Sequence, residues 1–253
     1  MIDSFFMTLS PSSTVEPAIE VKNICKSFGF RRAVSNLSFE VQRGEFLTIF
    51  GANGAGKTTL LNILSGRTRP SSGTAKVAGF DVTEANPKMR KEIGVISHAT
   101  CLYPDLSPLE NLEFYAKMYG LDRPEECAEK AVEGAGLKKR RHDPVRTFSR
   151  GMLQRLTIAR ATLHQPSILF LDEPFTGLDP LASGALKDYL RSLHTDQRTL
   201  LMTTHDISCG LEMGDHIAVQ IDGRFALMEP NNGLDPVAFE SRYMNLITGG
   251  KEG

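Results

Sequence analysis

Residues 51–58 read GANGAGKT, between a continuous apolar run, FLTIF at 46–50, and LLNILSG at 60–66, which is helical in character. Gly51, Gly56, Lys57 and Thr58 stand at the spacing G-x-x-x-x-G-K-[ST]. Glycines let the backbone curl until its N–H groups approach phosphate oxygens. A helix that starts at those N–H groups turns its positive end to the anion. The lysine adds a point charge, and the hydroxyl can ligate a divalent cation. Strand, glycine loop and helix together are the context a phosphate-binding loop requires. Asn53, Gly54 and Ala55 inside the stretch, and Thr59 after it, join these residues as candidate nucleotide contacts.

The surrounding sequence is organised as the carrier of such a loop. Upstream, AIEVKNICKSF (18–28) alternates through Ile19, Val21 and Ile24 as a half-buried strand does, and AVSNLSFEV (33–41) is a second strand candidate. GTAKVAG (73–79) reads as a short strand or hairpin arm. Downstream, ILFLDEP (168–174) and TLLMTTH (199–205) are buried strands flanking a helix, LASGALKDYLRSL, and IAVQIDGRF is a hairpin around Asp222-Gly223. Strands alternating with helices predict an α/β fold with a mainly parallel sheet covered on both faces, and antiparallel strands at the N-terminal side.

The middle of the chain is different. In SPLENLEFYAKMYG (107–120), Ser107 predicts an N-cap, Pro108 suits the first helical position and Glu110 completes a capping box. Leu109, Leu112, Ala116 and Tyr119 then share one face. PEECAEKAVEGAGL is a second helix, so residues 99–148 are expected to form a helical insert. SRGMLQRLTIARATL (149–163) follows, with Met152, Leu156, Ala159 and Leu163 in one stripe. Residues 1–17 are expected to be a flexible tail, with Met7 a candidate start. Residues 18–253 are expected to be a single domain, and 228–253 a short C-terminal tail with one helix, PVAFESRYMNLI.

Composition excludes several classes. The 253 residues carry a net charge of −1 and 41% hydrophobic content, as expected of a globular chain rather than a nucleic-acid-binding arm, and no nucleic-acid partner is expected. Four cysteines, Cys25, Cys101, Cys127 and Cys209, lie far apart and indicate neither a zinc site nor a disulfide framework. No run of 18 apolar residues spans a bilayer, and the N-terminus lacks the features of a signal peptide. The basic run KKRRH at 138–142 reads as a solvated face.

Asp172, at the end of an apolar strand, can hold Mg²⁺, and Glu173 beside it can orient an attacking water or take its proton. Ser149 and Gly151 stand just before a helix and form a second candidate anion site. From about residue 18 to 225 the chain resembles an ABC-type ATPase subunit. GANGAGKT and ILFLDE match that family's two nucleotide motifs, FSRGM its signature sequence, and TGLD (176–179) its D-loop. His205 matches the switch histidine, and Phe28 the aromatic that stacks on adenine.

The resemblance implies a RecA-like ATPase core and ATP with Mg²⁺ as cofactors. It implies Lys57, Glu173 and His205 as catalytic residues. It also implies head-to-tail pairing with a second ATPase subunit, in which one copy's Ser149 and Gly151 face the other's nucleotide. An integral membrane permease is the implied partner, which would hold the chain at the cytoplasmic face of the inner membrane. Two departures stand out. Arg150 occupies a signature position usually held by glycine. His98 replaces the glutamine of the γ-phosphate-sensing loop and is taken with Thr58 and Asp172 as a candidate Mg²⁺ ligand. SHATCLYPDLSPLENLEFYAKMYGL with FSRGM is most similar to the ATPase of haem export in cytochrome c maturation. Drug-efflux and polysaccharide- or lipid-export ATPases share much of this frame. A soluble assembly factor or regulator of the same class is the alternative.

Overall fold

The computed structural model describes residues 16–97, 99–195 and 198–248. Most of the expected tail at 1–17, with Met7, lies outside the described residues, and so does His98.

The chain opens with β1 (Ile19–Phe28), β2 (Arg31–Val41) and β3 (Phe46–Phe50), followed by α1 (Lys57–Leu64). β4 (Ser72–Val77), β5 (Phe80–Asp81), α2 (Pro87–Glu92) and β6 (Ile93–Ile96) come next. The middle is helical, with α3 (Pro108–Tyr119), α4 (Pro124–Gly134) and α5 (Arg150–Thr162). β7 (Ile168–Asp172), α6 (Pro180–Thr195), β8 (Thr199–Thr204), α7 (Ile207–Met213), β9 (His216–Ile221), β10 (Arg224–Pro230) and α8 (Pro236–Thr248) complete it. One sheet, β2-β1-β4-β5, is antiparallel. The other runs β10-β9-β3-β8-β7-β6, parallel except for the β9–β10 hairpin at its edge.

The apolar runs of the parallel strands divide by side-chain parity, because successive side chains point to opposite faces. Leu47, Ile49, Phe170 and Leu201 face α1 and the antiparallel sheet. Phe46, Leu169, Leu171, Leu200 and Met202 face α5, α6 and α7. Burial on both faces is why these strands read as unbroken hydrophobic stretches.

α5 is shared between two cores. Ile158 and Ala161 pack on the sheet, while Leu156, Ala159 and Leu163 pack on α3 and α4 with Leu112 and Ala116. Beside this joint the buried Arg160 donates to the Val95 carbonyl at 3.2 Å and lies 5.3 Å from the Tyr115 ring centroid. His164 stacks on Tyr119 at 4.2 Å, and burial pushes its imidazole below the ordinary value. In the basic run, Lys138 pairs with Glu133 and Arg140 with Asp143.

Four elements were not anticipated, among them the two-residue β5. β6 has four residues, too short for a periodic signal. α2 and α7 are single short helices whose caps are nonetheless encoded: Asn86 accepts from Lys88 N at 2.9 Å and Asp206 from Cys209 N at 2.9 Å. β2 also begins two residues before the stretch expected, because its start pairs with the end of β1, Phe28 opposite Arg31.

The capping box of α3 is complete. Ser107 Oγ accepts from Glu110 N at 3.3 Å, and Glu110 Oε2 accepts from Ser107 N at 2.7 Å. Those bonds hold the Glu110 carboxyl below its usual range. Ser107→Ala leaves the Glu110 N–H without its acceptor and is expected to cost about 1 kcal/mol, read as a lower melting temperature. An unchanged melting temperature would show that the box contributes nothing to stability.

Candidate functional site

The strand register delivers the chemistry to one edge. Phe50 is level with Thr204 on β8 and Val219 on β9, and Asp172 is level with Thr203. The glycine loop, Asp172-Glu173 and His205 therefore leave the parallel sheet together at its carboxyl end, where α/β sheets bind ligands. A cleft of about 570 Å³ opens there.

Backbone crowding explains two of the loop glycines. A Cβ on Gly56 would lie 2.0 Å from the Ala33 carbonyl, at a φ of +103°, and one on Gly51 would lie 2.5 Å from the Gln220 carbonyl. Gly56 is the N-cap of α1 and offers no side-chain acceptor, so the first helical N–H groups face the cleft for an anion.

Lys57 is 6% exposed. Its Nζ donates to Gly51 O at 2.5 Å and to Ala52 O at 3.3 Å, and lies 3.2 Å from Glu173 Oε1. That last contact is an ion pair without hydrogen-bond geometry, since Glu173 Oε1 has no hydrogen-bond partner. The other Glu173 oxygen, Oε2, lies 2.7 Å from His205 Nδ1, so the lysine, glutamate and histidine form one contiguous row of polar contacts. Glu173 sits at a φ of +53°, with its N–H held by the Thr203 carbonyl at 3.0 Å, a backbone turn that swings its carboxylate off the strand axis. The buried Asp172 accepts from Thr58 Oγ1 at 3.1 Å and from Thr203 Oγ1 at 2.8 Å.

Of the sequence candidates, Phe28, Asn53, Gly54, Gly56, Lys57, Thr58, Thr59, Glu173 and His205 line this cleft. Gly51, Ala55 and Asp172 support it from behind. Phe28 stands at the mouth, 55% exposed, with Lys26 Nζ 4.9 Å from its ring centroid. Ser149 and Gly151 are not part of the lining. They begin α5, where Ser149 Oγ accepts from Met152 N at 3.4 Å, and the Arg150 guanidinium lies against Gly177. Arg31 and Thr176 also line the cleft; sequence reasoning missed Arg31 and read Thr176 only as the first residue of the TGLD stretch. Arg31 Nη2 donates to Gly54 O at 3.4 Å and Thr176 Oγ1 to Glu173 Oε2 at 3.4 Å. Each lies three residues beyond a predicted site residue, but nothing in the local pattern marked Arg31.

A parallel sheet that carries a glycine loop, a buried lysine and an Asp-Glu pair to one edge defines a P-loop nucleotide phosphohydrolase. Residues 34–176 match the profile of the family described as "ABC transporter", and the chain belongs to that family as an ATP-binding subunit. It is 38% identical to "Nod factor export ATP-binding protein I" of Cupriavidus metallidurans, over 81% of this chain and 69% of that protein. It is 35% identical to a linearmycin resistance ATP-binding protein of Bacillus subtilis, over 74% of this chain and 61% of that one. The chain thus spans roughly two thirds of the length of these relatives. Among solved structures, a dimeric ATP-binding cassette in a post-hydrolysis state with ADP and Pi superposes with a TM-score of 0.76, at 26% identity, covering 85% of this chain and all of that one. The chain is an ATP hydrolase of this class.

Proposed function

We propose that two copies of this chain pair head to tail, bind ATP between them, and drive export through a separate membrane permease. The observation that carries the pairing is the incomplete cleft. One copy assembles the glycine loop, Lys57, Thr58, Glu173 and His205, yet its Ser149 and Gly151 stand elsewhere, at the start of α5. Symmetric pairing brings a partner's α5 to each cleft, so that Ser149 and Gly151 would complete the phosphate contacts. The dimeric cassette of 26% identity supports this arrangement.

Within each cleft, Lys57 and the glycine-loop amides take the phosphates, Phe28 stacks on the base, and Glu173 orients or deprotonates the attacking water. His205, already bonded to Glu173, faces the γ-phosphate. Mg²⁺ suits the donors present: Thr58 hydroxyl and Asp172 carboxylate are hard oxygen ligands, already 3.1 Å apart. Bound there, the ion would neutralise charge on the phosphates. His98 belongs to the proposal only as the residue in the sensing-loop position.

One ATPase domain over 18–253 with a helical insert at about 99–148 is part of the same proposal. No helix among the described residues is long and apolar enough to cross a membrane. The docking place proposed for the permease is the exposed ridge of Tyr103, Phe114 and Met118 on and before α3, where Tyr103 and Phe114 pack edge to face at 5.1 Å. The chain would then sit at the cytoplasmic face of the membrane. The names of the relatives support export. They do not support haem as the cargo, which the resemblance of FSRGM and SHATCLY had suggested. The proposal stops at export, with cargo chosen by the permease.

Affinity purification of the chain from its native membranes, with bound polypeptides identified by mass, tests this. Recovery of a multi-span protein with ATP hydrolysis in the same complex is the expected outcome. Recovery of soluble proteins alone, from a preparation that hydrolyses ATP, would favour an assembly factor and sink the exporter reading.

A further inference from the structure

Arg150 is the first residue of α5, exposed, between the N-cap Ser149 and Gly151. Its guanidinium packs over Gly177, with Nη1, Cζ and Nε all within 3.0 Å of where a Gly177 Cβ would stand. The group covers the side of the glycine from which a side chain would project. A planar, weakly hydrated guanidinium can lie against backbone while still touching water, which a compact ammonium does poorly.

Gly177 belongs to the loop that joins β7 to α6, residues 173–179. The loop starts at Glu173 and is tied back to it twice. Thr176 N donates to Glu173 O at 3.2 Å, and Thr176 Oγ1 donates to Glu173 Oε2 at 3.4 Å. At the far end Asp179 Oδ1 accepts from Ala182 N at 2.8 Å, and a Cβ on Gly151 would lie 2.7 Å from Ala182 Cβ. The start of α5 therefore meets both this loop and the helix after it, and Arg150 reaches the part beside Glu173. Thr176 and Gly177 are exposed, and Gly177 sits at a φ of +71°, a state that glycine enters and leaves freely. A brace from outside the loop is what holds such a tip in one place.

We propose that Arg150 is a positioning residue for hydrolysis within its own copy, bracing Gly177 and, through Thr176, the Glu173 carboxylate, rather than contacting the nucleotide that α5 meets in the paired form. This rests on the assignment of the cleft as the ATP site with Glu173 as its base. The arginine that departs from the signature glycine then serves the cleft of its own chain, and not that of its partner.

Arg150→Ala, Arg150→Lys and Gly177→Ala in the full chain test it, by steady-state hydrolysis, calorimetric titration with Mg-ATP and melting temperature. Arg150 is exposed, so its variants are expected to melt close to wild type. For Arg150→Ala, kcat is expected to fall about threefold to thirtyfold, since small misplacements of a catalytic group are costly. KM and the dissociation constant for Mg-ATP should stay within about twofold of wild type, and Arg150→Lys should not restore kcat. Gly177→Ala should lower kcat in the wild-type background and do so by less in Arg150→Ala, where its methyl meets no guanidinium. The backbone strain of that alanine is present in both backgrounds and cancels in the cycle. Arg150→Ala copies mixed with an excess of Glu173→Gln copies place each intact Glu173 opposite a partner that retains Arg150, and turnover per intact Glu173 should remain low. Recovery in that mixture, rescue by lysine, or a raised KM with kcat kept would assign Arg150 to the partner's phosphates and overturn the proposal, as would wild-type kcat in Arg150→Ala. Wild-type protein that fails to bind Mg-ATP, or Glu173→Gln that still turns over, would instead refute the cleft assignment, a result these variants do not mimic.

Discussion

Glu173→Gln is expected to reduce ATP turnover about 10²- to 10⁴-fold, the range associated with loss of a general base, while leaving ATP bound at least as tightly as wild type. The amide keeps the shape of the side chain and its reach to His205, which Glu173 Oε2 contacts at 2.7 Å. It cannot accept a proton from water. Removing the carboxylate charge also frees Lys57, whose Nζ lies 3.2 Å from Glu173 Oε1, and takes a negative charge away from the phosphates. Both effects favour the bound state, so ATP should accumulate uncleaved and hold the paired form together. Single-turnover hydrolysis and size-exclusion chromatography with ATP read the two halves. Turnover within tenfold of wild type would place the base elsewhere.

Lys57→Ala is expected to weaken ATP affinity by about 10²- to 10³-fold, since hydrogen bonds to charged groups are worth about 1.5–3 kcal/mol each and the lysine is placed to make more than one to the phosphates. A second consequence belongs to the empty protein. The Glu173 side chain is only 9% exposed, and its partner cation disappears. Breaking a buried pair by removing one member leaves an uncompensated charge, so the substitution should also lower the melting temperature. Lys57→Ala combined with Glu173→Gln should recover that stability without recovering ATP binding. Titration calorimetry and thermal denaturation separate the two effects. ATP affinity within tenfold of wild type would show that the glycine-loop amides alone hold the triphosphate.

Much of this site was legible because phosphate recognition is local. A strand, a tight glycine turn and a helix start must be contiguous for backbone N–H groups to converge on one anion. Gly51, Gly56, Lys57 and Thr58 lie within eight residues of one another. The capping box at Ser107 and Glu110 was readable for the same reason, since a helix terminus is closed by residues one turn away. Arg31 and Gln220 were not readable. Arg31 reaches Gly54 from the tip of a β-hairpin, and Gln220 reaches the loop from a strand more than a hundred residues later. Nothing in the local pattern of either distinguishes it from an ordinary surface arginine or a polar residue in a half-exposed strand.

The cargo lay beyond sequence reasoning for another reason. FSRGM and SHATCLY suggested haem export, but in the proposed arrangement those residues meet nucleotide and partner rather than cargo, so their likeness carries no information about what is moved. The relatives named for Nod factor export and linearmycin resistance share the same frame at 35–38% identity.

By itself, the sequence determined the class of chemistry: a phosphate loop, a carboxylate pair after a buried strand, and a sheet alternating with helices. Each depends on neighbours in the chain, where covalent spacing and side-chain periodicity fix geometry before any packing occurs. Only the tertiary structure decided which of these pieces meet. Strand register sets Asp172 beside Thr203 and Phe50 beside Thr204, and so brings Lys57, Glu173 and His205 into contact. The same register carries Gln220 beneath the glycine loop, while Ser149, at the start of α5, lies outside the cleft lining. Such contacts join residues tens to hundreds of positions apart, and their partners are chosen by hydrogen-bonded strand order and by the two apolar faces the sheet must bury.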